Sequence, residues 1–148
     1  MRYKVRARDF QRGGEASSKI RRALTRLGAG AQVVRRAAIA TYEAEMNIII
    51  HTTHGGEIVA EVQPHQVRIL AVDHGPGIED VERAMQPGYS TAPEWIRELG
   101  FGAGMGLTNI QRCADEMHLE SKLGAGTRLT IVIRLRGGAP GPAEEGGP

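Results

Sequence analysis

Residues 67–77 read VRILAVDHGPG. The run 67–72 is apolar apart from Arg68 and reads as a buried strand, and the next five residues set an acid, a histidine, two glycines and a proline at its end. Glycine and proline make a small rigid turn. Such a turn does not need an aspartate held in place by a core strand, so Asp73 calls for a function of its own.

Upstream, EIVAEV (57–62) and QVRILAV (66–72) form a hairpin across QPH (63–65). A helix is expected before them, from about Ala31 to about His51, with Val33, Ala37, Ala40, Ala44 and Ile48 at helical spacing toward the core. Its many alanines imply close approach to a sheet or a ligand. Residues 13–30 read as a glycine-bracketed helix with Ile20, Leu24 and Leu27 on one stripe, and YKVRARDF (3–10) alternates as a first strand. Downstream, GIEDVERAM (77–85) is a short helix. Residues 86–104 are glycine-rich with little periodicity, and their length points to a functional lid spanning Gly88 to Gly104. MGLTNIQRCADEM (105–117) carries Leu107, Ile110, Ala114 and Met117 at helical spacing. HLESK (118–122) and TRLTIVIRL (127–135) close the domain as strands, the latter with Thr127, Leu129, Ile131, Ile133 and Leu135 on one face.

This order predicts an α+β fold, a two-layer sandwich with helices on one face of a mixed, mostly antiparallel sheet. Residues 1–136 make one domain. The tail 137–148, GGAPGPAEEGGP, is too poor in apolar residues to build a core and is expected to be disordered.

With 41% hydrophobic and 24% charged residues in 148, the chain has the composition of one soluble domain with its own core. No apolar run approaches the roughly 20 residues that span a bilayer, and the N-terminus lacks the apolar core of a signal peptide. Cys113 is the single cysteine, which excludes an internal disulfide and a cysteine-based zinc site. These features predict a cytoplasmic location and no membrane association. Residues 1–36 hold 11 Lys/Arg against 2 Asp/Glu, although the whole chain is only +2. The basic third is either a solvated face, the commoner outcome, or a docking surface for an acidic partner or nucleic acid. An aromatic content of 4% argues against a stacking platform for nucleic acid.

Four short stretches stand at element boundaries: EAEMN (43–47), DHGPG (73–77), GFGAGMG (100–106) and GAGT (124–127). In this order they resemble the GHKL superfamily of ATP-binding domains, with the Bergerat fold. GPGIEDVERAMQPGYST followed by GAGMGL is similar to its subgroup of small anti-sigma and switch serine/threonine protein kinases. The resemblance covers roughly Tyr3 to Leu135.

The resemblance implies roles that physical need can check. Glu43 and Asn47 lie four apart and so share one helix face. Asn47 would offer its amide oxygen to Mg²⁺, and Glu43 would take or orient the proton of an attacking hydroxyl. Glu45 points about 200° away and is a poor substitute. Asp73 would accept a hydrogen bond from the adenine amine, an acceptor-only group that disfavours guanine. Gly75 and Gly77 would let the backbone approach the purine, and Thr127 would add a hydroxyl near it. Gly102, Gly104 and Gly106 would wrap the phosphates through backbone N–H groups, ahead of a helix whose positive end faces the anion. His51 is read as structural or phosphate-adjacent, and His54 is left without a role.

The implied function is an ATP- and Mg²⁺-dependent serine/threonine protein kinase. Its substrate would be a small anti-sigma-factor antagonist protein within a partner-switching module. The alternative is a non-catalytic ATP-binding switch that sequesters a sigma factor or activates a phosphatase. Either reading admits a homodimer.

Overall fold

The computed structural model describes residues 1–78, 81–88 and 105–135, with the backbone alone at 81 and 82. The expected lid from residue 89 on, Gly102, Gly104 and the tail 137–148 all lie outside the described residues.

Five strands form one sheet: β1 (Arg2–Val5), β2 (Gly56–Val62), β3 (Gln66–Asp73), β4 (Glu116–Lys122) and β5 (Gly126–Arg134), in the order β1-β2-β3-β5-β4. Each of these pairings is antiparallel, so no parallel member joins the sheet among the described residues. Period-2 alternation sends Ile58, Ala60, Val67, Ile69, Ala71, Leu129, Ile131 and Ile133 to one face, where all are buried. The helices α1 (Glu15–Arg26), α2 (Ala31–His51), the short α3 (Val81–Ala84) and α4 (Gly106–Cys113) complete the described elements.

α2 organises the helical layer. The expected stripe Val33, Ala37, Ala40, Ala44 and Ile48 is buried, and so are Val34, Ala38, Thr41, Glu45, Met46, Ile49 and Ile50. A helix covered on most of its circumference must be flanked on several sides. α1 packs along one side of it through Ala16, Ile20 and Leu24, and α4 packs along another through Ile110. Alanine allows those close approaches.

Three boundaries differ from expectation, the simplest being the short helix expected over 77–85, which among the described residues is confined to Val81–Ala84. The first strand stops at Val5, and the chain then turns through Arg8, at φ 62°, into a 3-10 turn at Phe10–Arg12. The last helix ends at Cys113 instead of Met117. Asp115 N bonds Val132 O at 2.8 Å, which starts β4 two residues before HLESK. Arg36 pins that corner with an ion pair to Asp115 at 3.1 Å and a bond from Nε to Cys113 O at 2.8 Å. Met117 fits both patterns, lying three residues past Ala114 and alternating with Leu119, and strand pairing decides between them. Among the described residues no helix is long and apolar enough to cross a membrane.

Candidate active site

α2 carries two acids on different sides. Glu43 and Asn47 face the start of α4. A Cβ added to Gly106, the first residue of α4, would lie 3.0 Å from Asn47 Oδ1 and 3.5 Å from Glu43 Oε1, so any larger residue there would press on the Asn47 amide. One turn on, Asn109 Nδ2 donates to Glu43 Oε2 at 3.0 Å. The Asn47 amide makes no hydrogen bond among the described residues.

Glu45, only 2% exposed, faces the other way. Its oxygens accept the Ala16 and Ser17 N–H groups, each at 3.0 Å. α1 starts after Gly14, which has no side chain to cap it, so Glu45 supplies the missing cap from a neighbouring helix. Burial pushes the Glu45 carboxyl above its ordinary 4.5, with the backbone N–H groups of Ala16, Ser17 and Gly14 opposing.

A second polar cluster lies at one end of the sheet. Asp73 pairs in register with Gly56 on one side and Thr127 on the other, and Ser121 lies opposite Thr127. Asp73, Thr127 and Ser121 thus form a row on the helix-side face. Asp73 Oδ1 accepts the Gly75 N–H at 2.9 Å. Burial pushes its carboxyl above the ordinary 3.8, opposed by the N–H groups of Gly75 and Thr127 and by His74. Ser121 Oγ accepts the Ile78 N–H at 2.6 Å and lies 2.9 Å from Thr127 Oγ1 and 3.2 Å from Gly126 O.

The two glycines of the turn are demanded by the chain itself. A Cβ at Gly75 would sit 2.9 Å from Thr52 Cγ2, and one at Gly77, where φ is +80°, would collide with Lys122 O. Thr52 closes the C-terminus of α2 and receives the Gly55 N–H at 3.0 Å. It therefore joins the two clusters. Counting back from Thr52 at 1.5 Å per residue, Asn47 stands about 7.5 Å and Glu43 about 13.5 Å along the helix.

A family model described as the histidine kinase-like ATPase domain matches residues 9–133, which spans both clusters. The chain belongs to that family. The anti-sigma F factor of Caldanaerobacter subterraneus subsp. tengcongensis is 41% identical over 100 residues, covering 64% of this chain and 66% of that protein. That of Pasteuria penetrans is 35% identical over 102 residues, covering 64% and 63%. The chain thus spans slightly less than two thirds of the length of these anti-sigma F factors. The serine/threonine-protein kinase RsbT of Bacillus subtilis is 34% identical over 113 residues, covering 74% of this chain and 79% of that protein. Among solved structures, a mycobacterial sensor histidine kinase, MprB, superposes with a TM-score of 0.54 at 16% identity over 92% of this chain and 97% of that one. That likeness concerns the fold.

Of the residues singled out in the sequence, Glu43, Asn47 and Gly106 form one cluster, and Asp73, Gly75, Gly77 and Thr127 surround the other. Asn109, Ser121 and Thr52 belong to the same assembly and were not singled out. Ser121 could have been found from alternation with Met117 and Leu119 and the short turn that sets it opposite Thr127. Asn109 carried a weaker signal, a polar residue beside the Leu107–Ile110 stripe. His51 is half-buried; burial, then Arg8, pushes it below its ordinary 6.5. His54 is exposed and bonds the Thr53 hydroxyl at 3.0 Å. Among the described residues no group of three or more His, Cys, Asp or Glu side chains could hold a metal ion.

Proposed function

We propose that this chain is an ATP-dependent serine/threonine protein kinase of the anti-sigma regulatory type, phosphorylating a small antagonist protein. The observation that carries the reading is the order of polar groups along α2. The Asp73 carboxylate lies near Thr52 at one end, an amide oxygen with no hydrogen bond among the described residues stands in the middle, and a half-exposed carboxylate at the other. That order suits adenine, phosphates and an attacking hydroxyl in turn. The names of the relatives, anti-sigma F factors and a serine/threonine-protein kinase, support the same class.

In this reading Asp73 Oδ2 accepts the adenine amine while Oδ1 stays on Gly75 N. Gly106 leaves room beside Asn47 Oδ1, a hard oxygen with no hydrogen bond among the described residues, so the donor fits Mg²⁺. Magnesium, when bound, would neutralise phosphate charge. Glu43 takes the proton of the substrate Ser or Thr hydroxyl. The hydroxyl oxygen bonds to the γ-phosphorus as the bond to the β–γ bridging oxygen breaks. ADP leaves, and the proton passes to solvent.

The test is incubation with γ-labelled ATP, Mg²⁺ and antagonist-type proteins encoded beside this chain. Acid-stable label on Ser or Thr is expected. A nucleotide-dependent complex that never takes label would replace the kinase by a binding switch.

A further inference from the structure

Glu43 is a long side chain with three rotatable bonds, yet a proton acceptor works only when held within reach of the reacting hydroxyl. Among the described residues no side-chain hydrogen bond from its own helix restrains it. The restraint comes from α4, where Asn109 Nδ2 bonds Glu43 Oε2 at 3.0 Å. Asn109 is itself fixed by the first turn of α4, its N–H bonding Met105 O at 2.9 Å. The second oxygen, Oε1, lies on the Gly106 side, 3.5 Å from where a Gly106 Cβ would stand, with Asn47 Oδ1 3.0 Å from the same point. An amide N–H₂ suits the first oxygen because it donates and cannot compete for the substrate proton.

Resting on the kinase reading of Glu43, we infer that Asn109 is a positioning residue: it engages one carboxylate oxygen of Glu43 and leaves the other turned to the gap beside Gly106 and Asn47. The rival explanation is a plain polar tie between α2 and α4. The two make different kinetic predictions. A tie contributes to stability whatever stands at 43, whereas a positioning residue matters to the reaction only while Glu43 is there to be positioned.

The experiment is a double-mutant cycle on phosphotransfer from Mg²⁺-ATP to the antagonist protein that takes label, using Asn109→Ala, Glu43→Gln and both together. Asn109→Ala should lower the maximal rate about 10- to 100-fold, the scale of a misplaced catalytic group, with KM for Mg²⁺-ATP within about two-fold. On the Glu43→Gln background it should lower the rate no further. The isosteric Asn109→Asp, which sets an acceptor against an acceptor, should lose at least as much activity and serves if the alanine variant fails to fold. Loss that multiplies in the double mutant, or a wild-type rate in a folded Asn109 variant while Glu43→Gln is impaired, overturns the inference alone. Absence of transfer by the wild-type chain, or an undiminished rate in Glu43→Gln, overturns the kinase reading and the positioning role with it.

Discussion

Glu43 and Glu45 stand two residues apart on α2, within the five letters EAEMN, and their carboxylates are committed in opposite ways. Glu45 is buried against α1 with one oxygen on each of two backbone N–H groups, so nothing remains for a substrate. Glu43 is half-exposed against α4, with one oxygen on Asn109 and the other beside a glycine. The same functional group completes a helix cap on one side and stays open to chemistry on the other. Two residues of helix, about 200° of rotation, make the difference.

Alanine at each position should separate the two roles, and this is the largest expected effect. Glu43→Ala should reduce phosphotransfer about 10²- to 10⁴-fold, the usual range for a general base, with little change in ATP affinity or melting temperature. Glu45→Ala should instead leave two buried N–H groups without acceptors and destabilise the fold by about 2–3 kcal/mol. Its folded fraction should still bind ATP normally. Thermal melts and initial rates on both variants check this, and a destabilised Glu43→Ala or a fully stable Glu45→Ala would break the comparison.

The sequence predicts the element order because the strongest periodicities, in α2 and β5, come from faces that meet the core. It also predicts that Glu45 turns away from Glu43, since rotation per residue is fixed. It does not predict what Glu45 meets there. That depends on α1 arriving with an uncapped N-terminus at Gly14, a contact across 29 residues of sequence between Ala16 and Glu45. The partner of Asn109 was hidden for the same reason, lying 66 residues away. Gly75 and Gly77 carry a different lesson. They read as backbone cleared for a ligand, yet each already faces a close neighbour within the chain, Thr52 or Lys122.

A second contrast sets the half-buried Asp73 against the buried Glu45, two acids that accept backbone N–H groups. Asp73 is half-exposed, with Oδ1 on the Gly75 N–H, so its carboxylate stays within reach of a ligand, and Asp73→Asn should weaken ATP binding about ten- to a hundred-fold, as expected for losing one charge-assisted hydrogen bond, and leave the fold intact. Burial holds the Asp73 carboxyl above its ordinary 3.8, and the ionised form is the better acceptor. Wild-type affinity should therefore fall as pH drops through that raised value, while Asp73→Asn should stay flat. Calorimetry across the range decides, and a folded Asp73→Asn with wild-type affinity would remove this residue from the adenine site.

The smallest effect concerns the sign of Glu45's contribution to stability. Its carboxyl titrates above 4.5 in the fold because burial outweighs the N–H bonds that favour the anion. A raised folded value means that the native state binds the proton more tightly than the unfolded chain. The linked stability is therefore fully present below the ordinary value and is lost as pH rises through the raised one. Glu45→Gln has no proton to exchange. Its oxygen still accepts one N–H, and its N–H₂ is set against the other, at a penalty that does not change with pH. The stability of the wild type relative to Glu45→Gln should thus decline as pH rises from about 4 toward neutrality, the interval in which raised carboxyls titrate. Denaturant titrations of both proteins at several pH values in that interval give the difference directly. Parallel curves would mean that Glu45 does not titrate differently on folding. A difference that grows with pH would mean that the bonds to Ala16 and Ser17 outweigh burial, making the Glu45 anion a net stabiliser of the α1–α2 joint.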